Sequence, residues 1–566
     1  MKKLINDPAR VVEEMVEGLA LADARLMLLP DETAVVRADH EALRQAGQVA
    51  LVSGGGSGHE PAHAGYIGQG MLTGVVAGAV FTSPSVDAVL KTILTVGGPA
   101  GVLLIVKNYT GDKLNFGLAA EFARTRGVPV EMVIVGDDVA LGDGAEGVGR
   151  RGIAGTVLVH KIAGAAAEAG LPLDQVRAEA QAAADNLASM GIGLSACTVP
   201  AAGQPGFELG PDEVEFGLGI HGESGVRKGS IAPADEMLEE LLSRIVAHGR
   251  FAKGDRVALL VNGLGGTPAL ELAIATRFAL RRLAQLGIEV RAALSGTFMS
   301  ALEMAGCSLS LLRLDDQRTE RLFAVSEAPA WDAPTRPAAQ AARSAPVDTG
   351  AADALPLGPV WADADGEAAF VAAIHKIIAA LRRAEPELTR LDSAVGDGDL
   401  GISLSRGAES VEAALSGFDL AHPARALAQI SANLRRSLGG TSGPLYAMFV
   451  LRAAATLAEA DSAEDPAGWS RALQAGCEGM MALGGAVPGE RTMLDALVPA
   501  AKAFAETAGS AAARLAAMNQ AAIAGAEATR SMQPLRGRSS YLGDRVTGHP
   551  DPGAVAVAVW TAALAG

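Results

Sequence analysis

Three carboxylates crowd one short stretch of the 566-residue chain: in LDSAVGDGDLG (Leu391–Gly401), Asp392, Asp397 and Asp399 share about one turn after a helical segment. Unpaired carboxylates at that spacing repel one another, and the natural remedy is a hard cation. Mg2+ accepts a few carboxylates and lets phosphate oxygens complete its octahedron. The EF-hand reading fails, because its glycine and its bidentate glutamate are both missing. A second set of reactive side chains is spread over three glycine-rich stretches. SGGGSGHEPAHAG (Ser53–Gly65) presents Ser57 and His59, VKNYTGD offers Lys107, Asn108 and Asp112, and GLGIHGESG (Gly217–Gly225) brackets His221 with glycines. Isolated histidines such as His40, His160, His248, His375 and His422 read as structural. His221 differs, since glycines expose its backbone and ring, and a neutral imidazole is a competent nucleophile toward a carbonyl.

The loop at Ser53–Gly65 follows an apolar run and invites a phosphate-cradle reading, which fails on each template. A P-loop needs Gly-Lys, and the chain has no such dipeptide. His59 and Pro61 interrupt the dinucleotide fingerprint, and Ser57 does not sit in G-x-S-x-G. What remains is a tight glycine bend suited to a small polar ligand. Phosphate belongs instead with the later turns GGTSGP (Gly439–Pro444), GGAVPGERTMLD (Gly484–Asp495), GRSSYLGDR and GHPDPGA, where glycines and hydroxyls stand at helix entrances.

The elements that must position these groups fall into two regimes. Up to about Ala324, QVALV, GVLLIV, VEMVIV, RVALLV and VRAALSG each end in a Gly, Asn or Asp cluster and alternate with helical stretches. Continuous apolar strands between helices predict a parallel sheet covered on both faces, with ligands at the strands' carboxyl ends. NDPAR predicts a first helix capped by Asn6 or Asp7 with Pro8 in its first turn. From Ala328 to Pro359 proline, alanine and small polar residues predict a linker. Beyond it Phe370, Ile374, Ile377 and Leu381 fall at helical spacing, and the remainder reads as all-helical. The expected domains are thus 1–185 and 186–327, both α/β, a linker over 328–359, and a helical domain over 360–566.

The charge balance bounds the partners. A formal net charge of −17 without a basic block argues against a nucleic acid. Cys197, Cys307 and Cys477 are isolated, which fits buried thiols in a reducing, cytoplasmic setting. The N-terminal MKKLINDPARVVEEMVEGL lacks an unbroken apolar core, so no signal peptide is expected. Pro61–Val86 carries no formal charge, yet its glycines and polar residues predict loop, buried strand and turn rather than a membrane helix.

Taken together, the motifs resemble the dihydroxyacetone (glycerone) kinase family in its single-chain, ATP-dependent form. GGGSGHEP, NYTGD and GLGIHGE are similar to its substrate-binding half; LDSxxGDGD, GGTSG, GERTMLDAL and GRSSYLG…GHPDPGA are similar to its nucleotide-binding half. The resemblance covers nearly all of the chain outside the linker. It implies two α/β subdomains joined by a flexible linker to an antiparallel eight-helix barrel. It implies that His221 holds the substrate ketone as a covalent hemiaminal, that Asp112 takes the proton of the attacking hydroxyl, and that His59 assists the transfer. Gly56, Ser57, Gly58 and Lys107 are implied to line the ketone pocket. Asp392, Asp397 and Asp399 are implied to hold two Mg2+ ions. Leu400, Gly401, Ile402, Ser403, Thr441, Ser442, Gly484, Met493, Arg538, Asp551, Pro552 and Gly553 are implied to contact ATP.

One departure is visible: the family commonly writes GDGDHG, and this chain has Leu400 in place of that histidine. The resemblance further implies a cytoplasmic homodimer acting on a small ketose, with no membrane partner. Within the same chemistry stand erythrulose or glyceraldehyde as substrate, and an FAD-cleaving activity that forms cyclic FMN.

Overall fold

The computed structural model describes residues 2–141, 149–223, 225–347 and 357–566, with the side chains of residues 538, 544 and 545 excepted. The described residues form two compact units, Met1–Arg343 and Ser344–Gly566.

The first unit begins with α1 (Val11–Ala22), β1 (Leu26–Leu28), β2 (Ala34–Arg37), α2 (His40–Gln45), β3 (Ala50–Ser57), β4 (Gly74–Val80), α3 (Val86–Val96), β5 (Val102–Lys107), α4 (Thr110–Thr125), β6 (Val130–Val135), α5 (Thr156–Glu168) and α6 (Leu173–Asp185). These strands make a six-stranded sheet in the order β1-β2-β4-β3-β5-β6. Its four strands β4, β3, β5 and β6 run parallel, as the apolar runs predict. One face packs on α3 and α4, and the other on α1 and α5.

A second sheet follows in β7 (Leu187–Gly193), β8 (Glu213–Phe216), β9 (Arg227–Ser230), α7 (Ala234–His248), β10 (Arg256–Gly263), α8 (Ala269–Gln285), β11 (Glu289–Gly296), β12 (Gly306–Arg313) and α9 (Asp316–Phe323). Its order is β11-β10-β12-β7-β8-β9. Here only β10 and β11 are parallel, and the other neighbours are antiparallel. Apolar runs such as RVALLV report burial on both faces, a condition that either strand direction satisfies.

Two local expectations shift. Helix α1 starts at Val11 rather than at Pro8, because the Asp7 carboxylate accepts the Ala9 amide and its carbonyl accepts the Arg10 amide, closing a separate turn. The Ala328–Pro359 tract, expected as linker, is anchored at its start. Ala328 and Trp331 are buried in the first unit's core, the Ala293 and Thr335 backbones pair, and Arg336 lies over the Phe323 ring. Part of the expected linker, 348–356, lies outside the described residues.

The second unit is entirely helical among the described residues: α10 (Ala364–Val395), α11 (Leu400–Ala414), α12 (Pro423–Ser437), α13 (Ser442–Leu457), α14 (Pro466–Gly484), α15 (Leu494–Glu506), α16 (Ala511–Ala528) and α17 (Pro552–Ala565), with short 3-10 turns. Each helix packs on its neighbour in sequence, and α17 returns to α10, so the eight close into a barrel. Its interior is a cavity of about 400 Å3 walled by apolar side chains including Ile374, Ile377, Leu381, Phe449 and Trp560. Among the described residues no helix is long and apolar enough to cross a membrane. All three cysteines are buried, and burial pushes their thiols up, Cys197 to about 11 and Cys307 and Cys477 to about 12.

Candidate active site

In the first unit the reactive groups converge at the carboxyl ends of β3 and β5. Strand β3 runs further than its apolar residues suggest, through Gly54–Gly56 to Ser57, so the chain bends only after Ser57. Its glycines serve packing: a Cβ on Gly56 would lie 2.5 Å from the Thr82 amide nitrogen. The Ser57 hydroxyl donates to the Gly78 carbonyl at 2.7 Å and is thereby committed to the sheet.

His59 is fully buried, with its Nδ1 2.9 Å from the Ser300 carbonyl. A carbonyl only accepts, so Nδ1 carries the hydrogen and Nε2 keeps its lone pair, with no protein partner. Burial, reinforced by the charges of Lys107 and His221, drives the imidazole well below its usual range, so His59 is neutral. Lys107 and Asp112 are likewise buried, with Lys107 Nζ and Asp112 Oδ1 unpartnered. They meet over Gly55, whose added Cβ would lie 3.1 Å from Lys107 Nζ and 3.5 Å from Asp112 Oδ2. Burial draws the Lys107 ammonium down, while Asp112 and Glu60 oppose it. Asp112 arrives in the first turn of α4, and Asn108 donates to the Arg150 carbonyl at 2.6 Å.

His221 comes from the connection between β8 and β9. Its ring centre lies 4.8 Å from that of His59, 4.5 Å from Tyr109 and 5.4 Å from Phe81. Glu223 folds back on it: one carboxylate oxygen stands 3.1 Å from Nδ1 and the other accepts the His221 amide at 3.0 Å. That contact fixes Nδ1 as the protonated nitrogen and leaves Nε2 nucleophilic. Burial acts to raise Glu223, but the hydrogen bonds and charge of His221 outweigh it and hold the carboxyl down to about 2. Gly219 makes room for this, since a Cβ there would lie 2.0 Å from Glu223 Oε2. Arg151, paired with Asp138 at 2.6 Å, donates to the Gly217 carbonyl at 2.7 Å and pins the base of the loop.

A further segment, absent from the expected set, closes over His59. The Ser300 and Leu302 amides donate to the carbonyls of His59 and Gly58 at 3.1 and 2.7 Å. Asn262, at the end of β10, holds this segment with all four of its hydrogen-bonding positions: it accepts from the Phe298 and Met299 amides and donates to the Met299 carbonyl and Ser308. The apolar sequence around Ser300 carries no chemical signature, and only the four-way bonding of Asn262 marks it.

The helical unit holds the second cluster. One oxygen from each of Asp392, Asp397 and Asp399 lies within 4.8 Å of the others, a donor set of hard carboxylate oxygens that fits a divalent cation. Asp392 lies in the last turn of α10, and its Oδ2 accepts the Leu400 amide at 3.1 Å, which curls the loop around the cluster. These aspartates line a cavity of about 280 Å3 together with Leu400, Thr441, Ser442, Gly484, Met493 and the Asp551–Gly553 turn. Thr441 and Asp551 stand at the N-termini of α13 and α17, where free amides favour anions. Burial pushes the Asp551 carboxyl up to about 6, against its hydrogen bond from the Ala554 amide.

Gly401, Ile402 and Ser403 do not line this cavity. Gly401 lies against the backbone of α10, 2.3 Å from the Glu385 carbonyl for an added Cβ; Ile402 is exposed; Ser403 is buried in the helix. The side chain of Arg538 lies outside the described residues. Leu400 is buried among Leu388, Leu404 and Leu438, so it serves the core with its side chain and the aspartate loop with its amide. Arg491, Thr492, Arg536 and Met480 also line the cavity and were not singled out by residue type or spacing.

Two family models match the chain, the Dak1 domain over residues 17–330 and the DAK2 domain over 394–566. The chain belongs to the dihydroxyacetone kinase family. It is 44% identical over 573 residues to the triokinase/FMN cyclase of Homo sapiens, covering 98% of this chain and 97% of that protein. It is 44% identical over 586 residues to a putative 3,4-dihydroxy-2-butanone kinase of Solanum lycopersicum, covering 100% and 98%. The crystal structure of the Citrobacter freundii dihydroxyacetone kinase in complex with AMP-PNP and Mg2+ superposes with a TM-score of 0.65 at 36% identity, covering 100% of this chain and 99% of that one. Like these dihydroxyacetone kinases, the chain is a kinase that joins both family domains, and its fold of two sheets plus a helical barrel is theirs.

Proposed function

We propose that the chain phosphorylates dihydroxyacetone from Mg-ATP, with the ketone held as a hemiaminal on His221. The observation that supports this reading is the His221–Glu223 pair packed against the ring of His59, whose buried Nε2 is unpartnered like Lys107 Nζ and Asp112 Oδ1. Nε2 bonds the carbonyl carbon, the C=O π pair moves to oxygen, and that oxygen takes up a proton. That proton comes from solvent, and Nδ1 gives up its own proton to solvent by way of Glu223, so the ring ends neutral and Glu223 ends ionised. Glycerol has no carbonyl and cannot be captured in this way.

On this reading Asp112 takes the proton of the hydroxyl that attacks phosphorus and His59 assists the transfer, and the buried, unpartnered Oδ1 and Nε2 support these roles. Lys107 supplies fixed positive charge beside them. Asp392, Asp397 and Asp399 would hold two Mg2+ ions, which supply charge neutralisation to the phosphates when bound. Thr441, Ser442, Gly484, Met493 and the Asp551–Gly553 turn would line the nucleotide. The complex of the Citrobacter freundii enzyme with AMP-PNP and Mg2+ supports ATP and magnesium as the cofactors.

The deciding experiment is a Mg-ATP kinase panel over dihydroxyacetone, erythrulose, glyceraldehyde and glycerol. Ketoses should turn over and glycerol should not; equal turnover of glycerol would sink covalent capture. His221→Ala should lose ketone affinity, whereas Asp112→Asn should chiefly lower the rate. The Solanum lycopersicum relative's name favours a four-carbon ketone as competing substrate, and the mammalian relatives' name favours an additional FMN cyclase activity. A manganese-dependent FAD assay tests the latter. The homodimer belongs to the same proposal and is checked by sedimentation of the 57.3 kDa chain.

A further inference from the structure

Arg491 sits in the connection between α14 and α15 and is only 1% exposed. Its Nη2 donates to the His549 carbonyl at 3.0 Å, while Nε and Nη1 have no protein partner. A guanidinium cannot shed its proton to relieve such burial, so unpaired N–H groups here call for an anionic partner. The backbone reinforces the point: Arg491 holds a φ of +61°, a left-handed conformation rarely taken by residues other than glycine, asparagine or aspartate.

The neighbouring acids accept no hydrogen bond from these groups. Both oxygens of Asp495 are engaged by the Gly489 and Thr492 amides. Asp551 caps α17 through the Ala554 amide and acts on Arg491 through its charge, without accepting a hydrogen bond from Nε or Nη1. Yet Arg491 lines the same cavity as Asp392, Asp397 and Asp399. Arg536, another cation of that lining, is half-exposed and already paired with Glu490 at 3.1 Å.

We infer that Arg491 binds the phosphate chain of the nucleotide, its free Nε and Nη1 donating to phosphate oxygens in the cavity that the aspartate cluster also lines. This deepens the ATP reading above and rests on it. A phosphate matches the planar guanidinium fork, whereas an adenine or ribose offers no charge to compensate it. The chain has no P-loop lysine, and Arg491 supplies the corresponding positive charge from a different element.

The test compares binding of AMP, ADP and AMP-PNP, each with Mg2+, to the full-length wild type, Arg491→Lys and Arg491→Gln by calorimetry, with melting curves alongside. In the wild type affinity should rise as phosphates are added. Arg491→Gln should bind AMP nearly as the wild type does and lose on the order of 10- to 100-fold for AMP-PNP, with Arg491→Lys between them. An equal loss for all three nucleotides would assign Arg491 to holding the His549 turn and overturn the inference, as would unchanged affinity for AMP-PNP. If the wild type binds none of the three, the ATP reading falls and this inference falls with it.

Discussion

At Glu223, a carboxylate reaches around a glycine to fix one nitrogen of His221, and the consequence is testable in two ways. Glu223→Gln keeps the shape but removes the charge that favours a proton on Nδ1. It should raise KM for the ketone by on the order of 10-fold or more while leaving KM for ATP in place. The acid behaviour follows from the same contact. The folded-state value is about 2, below the ordinary value of 4.5. The stabilisation is therefore complete above about pH 4.5 and lost as pH falls toward 2. Acid unfolding followed by circular dichroism should show a shallower slope in that window for Glu223→Gln. His59 gives a contrasting expectation. Because burial keeps it neutral, its own titration should produce no limb in the kcat/KM profile between about pH 6 and 8. A limb there that vanishes in His59→Asn would contradict the assignment.

Among the elements, α5 carries an ionisable group with no chemistry to do. Lys161 is fully buried, and its ammonium donates to the Arg321 carbonyl at 3.0 Å. Burial, aided by the Arg321 charge, pulls it down to about 8 from 10.5. A lowered lysine costs stability wherever the folded chain must keep it charged, so the cost is full below about pH 8 and fades as pH rises toward 10.5. Lys161→Met should stabilise the first unit at pH 7 by on the order of 1–2 kcal/mol, after losing the hydrogen bond, and should flatten the pH slope. Melting curves between pH 7 and 10 check both.

The strands teach a related lesson. QVALV and GVLLIV were legible as buried parallel strands because continuous apolar runs report cover on both faces. RVALLV reports the same cover, yet β10 is flanked by one parallel and one antiparallel neighbour. Pairing direction is set by the connections between strands, which hydrophobicity does not encode. The first helix cap shows the same limit at short range, since Asp7 spends its side chain on a turn before the helix begins.

For the whole molecule, His59 and His221 lie in one unit and Asp392, Asp397 and Asp399 in the other, so the proposed reading divides the chemistry between the units. Asp397→Asn with Asp399→Asn should abolish ATP turnover and leave ketone binding to the first unit intact, read by calorimetry with dihydroxyacetone. Chelation should likewise stop turnover, and added Mg2+ should restore it. Loss of ketone binding in the double variant would show that the division of labour is wrong.

By itself the sequence determined the two regimes of secondary structure, the glycine-framed His221 and the Asp392–Asp399 triplet. Those features are local, and spacing along the chain is enough to reveal a turn of carboxylates or a histidine between glycines. The tertiary structure decided which groups meet. Glu223 is two residues from His221, yet only the folded loop shows it turning back toward Nδ1. Ser300 and Asn262 lie more than 200 residues from His59, and nothing in their types announces a clamp. Two of the glycines of Ser53–Gly65, Gly56 and Gly58, also let the chain lie against the Phe81–Thr82 segment. Close packing between distant segments sets that requirement, and a one-dimensional pattern carries no record of it.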